Sequence, residues 1–117
     1  MSDRELLELA ARAAGIEVFF DDDGDCFRIK ASGNRNYWNP IAFDGDALRL
    51  AVRLRIMLNR EINCGCDIVE AIGPEDDDMS RHCSTESIEV DPYAATRRAI
   101  VRAAAEIGRQ MQEGGAA

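Results

Sequence analysis

Residues 16–30 run Ile16-Glu17-Val18-Phe19-Phe20-Asp21-Asp22-Asp23-Gly24-Asp25-Cys26-Phe27-Arg28-Ile29-Lys30. Two short runs rich in β-branched and aromatic residues flank a cluster of Asp and Gly, which reads as a β-hairpin closed by a polar turn. The segment before it is helical in pattern. Ser2-Asp3-Arg4-Glu5 fits a capping box, Leu6, Leu9, Ala10 and Ala13 recur at helical spacing, and Gly15 supplies a stop, predicting a helix over 3–14. A helix running directly into a hairpin excludes an all-helical bundle and points to the α+β class.

Beyond the hairpin, residues 32–40 hold Gly, Asn, Pro and the only Trp, and are expected to form a loop that ends near Asp44-Gly45-Asp46, where a helix can begin. From Ala47 to Leu58 a broad apolar stripe (Ala47, Leu50, Ala51, Leu54, Met57, Leu58) is widened by Leu48, Val52 and Ile56, so this helix is expected to be central or covered on two sides. Residues 62–64, 67–72 and 85–90 read as strands, and 73–80 as a polar acidic loop. Asp91-Pro92 opens a last helix with Tyr93, Thr96, Ile100, Ala103, Ala104, Ile107 and Met111 on one face. The expected organisation is a single α+β domain over 1–112 with a flexible tail over 113–117. Its order is α-β-β-α-β-β-β-α, around a mostly antiparallel sheet packed with helices.

The chain has 117 residues with 22 Asp plus Glu against 14 Lys plus Arg, a net charge of −8. That balance counts against direct nucleic-acid binding, which requires a basic face. Neither a leader-like N-terminus nor a membrane-spanning apolar run is visible, so the expected location is the cytoplasm, with no membrane contact and with thiols reduced.

Cys64-Gly65-Cys66 and His82-Cys83 offer four soft ligands for a zinc domain, but their spacing suits chelation poorly, and small buried side chains explain the cysteines as well. Asp21, Asp23 and Asp25 alternate as calcium-loop ligands do, whereas the sixth and twelfth loop positions hold Cys26 and Ser32, which favours a solvated turn. Glu75-Asp76-Asp77-Asp78 is expected to be exposed. No nucleophile elbow, phosphate-cradling loop or His-Glu-x-x-His motif occurs, so the chain is expected not to be an enzyme and to need no cofactor.

The candidate binding site centres on Tyr37, Trp38 and Asn39, two adjacent aromatics amid amides, together with Asp44, Asp46, Arg49 and Arg53. Trp38 suits a binding surface and a core position equally. Arg49, Arg53 and Arg60, and likewise Arg98, Arg102 and Arg109, repeat at i, i+4 and i+11, forming either an anion-binding side or a solvated polar face.

Trp38-Asn39-Pro40, Asp44 to Val52 and the ending Asp91 to Gly108 together resemble small proteins of tailed phages and prophages described as a phage αβα-sandwich domain, with NinX-type proteins distantly similar in layout. The resemblance implies a layered αβα sandwich of phage or prophage origin and brings no catalytic residue with it. The expected function is a non-enzymatic phage accessory protein that binds a host or phage protein and modulates host physiology or defence. The alternatives are a sponge for a small anionic, nucleotide-like ligand held by Tyr37, Trp38 and arginines, and a Cys/His zinc domain. The wide apolar stripe suits a homodimer interface as well as a core.

Overall fold

The computed structural model describes residues 2–29, 35–63, 66–74, 83–87 and 91–114. The first helix, α1 (Asp3–Ala14), forms as the sequence predicts. The Ser2 hydroxyl accepts the Glu5 amide N–H at 3.2 Å, and Gly15, at φ 69°, turns the chain out of the helix while its N–H and that of Ile16 bond the last carbonyls. The hairpin follows as β1 (Val18–Phe20) and β2 (Cys26–Ile29), paired antiparallel with Phe19 opposite Phe27. Asp21 closes its turn by accepting the Asp23 and Asp25 N–H groups at 3.0 and 2.9 Å. A third strand, β3 (Arg35–Tyr37), lies within the segment expected to be loop, and pairs with β2. Three residues are too few to show an alternation that sequence reading can detect.

The helix α2 (Asp44–Leu54) ends four residues before the predicted boundary. Arg55 takes a left-handed conformation at φ 56°, and the Arg55 and Ile56 N–H groups bond the Val52 and Ala51 carbonyls, the same closing motif that Gly15 makes for α1. Met57 and Leu58 therefore leave the helix and open β4 (Met57–Asn63), which pairs along its length with β5 (Cys66–Ile72). Next comes β6 (Cys83–Ser87), also paired with β5; positions 88–90 of the predicted strand and the acidic run 75–78 lie outside the described residues. The final helix, α3 (Pro92–Gly114), starts where Asp91 accepts the Tyr93 and Ala94 N–H groups, and it continues two residues past the predicted domain end.

The α+β class and the antiparallel pairing are as expected, but the strands divide into two three-stranded sheets, β1-β2-β3 and β4-β5-β6. The first sheet meets α1 and α2, with the Arg4 guanidinium 4.6 Å over the Phe20 ring and Trp38 buried, while the second lies on α3 through Val69 and Ala71. The central helix is α3 rather than α2, since α1, α2, β5 and β6 all pack on it. Its buried residues, Ala99, Ile100, Val101 and Ala103 to Ala105, face several directions, whereas Tyr93 and Met111, expected on the buried face, are exposed.

The tightest approach is between α1 and α3. A Cβ added to Gly108 would sit 2.8 Å from the Leu9 carbonyl carbon and closer still to its oxygen. In an ordinary helix interior Gly→Ala gains about 1 kcal/mol. Here Gly108→Ala is expected to reverse that sign and cost about 1–3 kcal/mol by prising the helices apart, read as a lower urea midpoint at unchanged m-value. Arg55→Gly, by contrast, relieves a left-handed residue that carries a Cβ, and is expected to stabilise the fold by roughly 0.5–1 kcal/mol in the same measurement.

Candidate functional site

The loop that leads into α2 is built around Asn39. Its side-chain Oδ1 accepts the Ile41 and Ala42 N–H groups at 3.1 and 3.2 Å, its carbonyl accepts from Ala42 and Phe43, and its own N–H donates to Asp46 Oδ2 at 3.0 Å. Pro40 is fully buried behind it. Asn39 and Asp46, both expected in a binding site, therefore form a clasp that sets the direction of α2. Asp46 also holds Arg49 at 2.8 Å. Arg97, which neither arginine stripe included, reaches across from α3 to the Ile41 carbonyl at 2.8 Å and to Asp44 at 2.7 Å, with its side chain only 18% exposed.

Trp38 is 4% exposed and belongs to the core, while its neighbour Tyr37 lies on the outer face of the first sheet. There Tyr37 extends a ring ladder, with Phe27 4.6 Å from Tyr37 and 5.2 Å from Phe19. Strand alternation sends adjacent residues to opposite faces. Tyr37 and Trp38 therefore do not form one stacking surface, which corrects the expectation of a paired aromatic loop.

The buried edge of Trp38 borders a cavity of about 460 Å³ between the first sheet and α2. Ile16, Leu50 and Trp38 supply apolar wall, Leu48 and Val52 flank it from α2, and Arg28, Arg49 and Arg53 complete the lining. Arg53 is committed to the fold, since its Nε donates to the Ala14 carbonyl and neutralises the C-terminal end of α1. Among the described residues, exposed Arg49 pairs only with Asp46, and Arg28 makes no ion pair. Nothing in the sequence pattern marked Arg28, because only strand pairing turns it towards α2.

On its other side Leu48 also borders a second groove, of about 210 Å³, with Leu58, Tyr93, Ile100 and the Asp44–Arg97 pair around it. Leu48 and Val52, 63% and 71% exposed, are the residues whose apolar character predicted a second cover over α2. The fold leaves that side open.

The other candidates separate. Arg60 is on β4, paired with Asp67 at 2.9 Å, and so does not continue a helical stripe with Arg49 and Arg53. Arg98, Arg102 and Arg109 each pair with a carboxylate, Asp3, Glu86 and Glu106 respectively. Cys64 and His82 lie outside the described residues, but the register fixes the backbones of Cys66 and Cys83. Cys83 is opposite Ile72, at the far end of β5 from Cys66, and six residues of strand separate them by about 20 Å. Those two cysteines cannot share one zinc ion, which overturns the four-ligand site. Asp21, Asp23 and Asp25 do bring carboxylate oxygens within 4.8 Å of one another, in a turn that Asp21 itself organises. Burial, followed by the nearby Glu8 charge, pushes the Cys26 thiol up to about 11, so it is protonated and inert at neutral pH.

Because Trp38 fills core space, Trp38→Ala is expected to cost about 3–5 kcal/mol and to abolish or sharply lower the cooperative thermal transition. Tyr37→Ala removes one exposed ring contact and is expected to cost about 0.5–1.5 kcal/mol, with the fold retained by circular dichroism. No protein-family model matches this chain and no curated protein aligns with it, which leaves the surface of α2 as the ground for a functional reading.

Proposed function

We propose that the protein is a non-enzymatic binding module that captures a partner protein on the open side of α2. The observation that carries this reading is the apolar groove between α2, β4 and the first turn of α3, where Leu48, Leu58 and the 70% exposed Tyr93 surround a polar end made by Asp44 and Arg97. Contiguous exposed apolar residues rimmed by charge mark interaction surfaces, and aromatic and arginine residues are enriched in them.

The net charge of −8 favours a partner with a basic face, because complementary potentials speed and orient encounter. A basic surface that normally meets nucleic acid is one such face. The resemblance of the Trp38-Asn39-Pro40 loop and the last helix to small phage-encoded proteins supports an infected bacterium as the setting and a host protein as the partner. No helix among the described residues is long and apolar enough to cross a membrane.

Leu48→Asp places a charge in the middle of the patch without touching the buried side of α2. It is expected to weaken capture of the partner from infected-cell lysate by roughly 30-fold or more, as loss of a central anchor does, while the melting temperature is retained. Undiminished capture by both Leu48→Asp and Tyr93→Ala would remove this face from consideration.

A further inference from the structure

We infer that the cavity beside Trp38 is a binding site for a small amphiphilic anion, a compact apolar or aromatic body carrying a single carboxylate or comparable acidic group. The inference is independent of partner capture on the neighbouring face. It rests first on charge placement. In a chain with eight more acidic than basic residues, the lining of this cavity contains three arginines and no carboxylate among the described residues. The remaining lining residues, Ile16, Trp38, Leu48, Leu50 and Val52, are hydrophobic, with the indole N–H the one polar side-chain group among them.

The three guanidiniums are not equivalent. Arg53 is held by the Ala14 carbonyl and shapes the wall. Arg49 is 73% exposed at its side chain and bonds Asp46 through one Nη, which leaves further N–H donors. Arg28 is exposed and has no ion-pair partner among the described residues. Arg28 comes from β2 and Arg49 from α2, so an anionic group at the mouth can meet a cation from each wall while the body of the ligand rests on the aliphatic side chains. A guanidinium presents a planar fork of donors suited to carboxylate or phosphate. A volume of about 460 Å³ lies within the range of sites for small organic ligands, which join an apolar wall to a few placed polar groups. The ligand class is narrower than the nucleotide-like anion that the sequence offers as an alternative: Tyr37 faces away, and a polyanion would meet only two available cations.

Trp38 is the only tryptophan and borders the cavity, so its indole N–H gives one isolated resonance that reports directly on occupancy. The test titrates the full chain with 2-naphthoate and, separately, with its neutral isostere 2-naphthamide, following that resonance by two-dimensional NMR. Expected is a saturable shift with naphthoate, binding about tenfold weaker for the amide, and a similar loss for naphthoate in Arg28→Gln and in Arg49→Gln. Both side chains are exposed, and a melting curve checks each variant; Arg28→Gln alone decides the matter if Arg49→Gln loosens the Asp46 clasp. The proposal is overturned by no shift of the Trp38 resonance with naphthoate, by equal affinity for acid and amide, or by undiminished naphthoate binding in Arg28→Gln. Inorganic phosphate binding as tightly as naphthoate would also overturn it, by making the site one for bare anions.

Discussion

The close crossing of α1 over α3 is the constraint on which the rest of this molecule depends. Gly108 has no side chain because the Leu9 backbone occupies the space where one would be, and the alanines of both helices around that point are buried. Small side chains let the backbones approach, so many atoms gain van der Waals contact without large side chains filling the space. The cost is that little bulky apolar surface remains at the centre, and Trp38, Leu50 and Val69 have to close the core from α2 and the two sheets.

Two arginines then tie the outer parts to that pair of helices. From α2, Arg53 donates to the Ala14 carbonyl at the end of α1, and from α3, Arg97 donates to the Ile41 carbonyl and to Asp44. Because both are anchored at carbonyl oxygens, they act chiefly as donors that satisfy backbone groups at element ends, where unpaired groups are costly. Their effect is to hold α2 at an angle that buries Ala47, Leu50 and Ala51 and leaves Leu48 and Val52 facing solvent. The cavity and the groove are the two flanks of that exposed side, so the surface proposed to function follows from how α2 is clamped.

Much of the candidate site was legible in the residues. Trp38, Arg49 and Arg53 do converge on one cavity, and Asp44 lines the adjacent groove. What the chain order concealed was the division of labour: Asn39 and Asp46 clasp the loop, Arg53 caps a helix, and Tyr37 belongs to an aromatic ladder on the opposite face. Arg28 carries no sequence mark because a single strand residue has no periodic signal, and only its pairing opposite Val18 and Asn36 assigns it a face.

By itself the sequence determined the elements whose signals are local. The Ser2 cap, the Gly15 stop, the Asp21 turn and the Asp91-Pro92 start each act through hydrogen bonds within five residues, so they could be read directly and they recur in the structure. Tertiary structure alone decided the end of α2, where Arg55 adopts a left-handed turn that glycine usually marks. It also decided the split into two sheets and the central place of α3. Those outcomes depend on which apolar faces meet across distant segments, and hydrophobic attraction is non-directional: it states that Leu48 and Leu50 are both apolar, but not which of them the rest of the chain will cover.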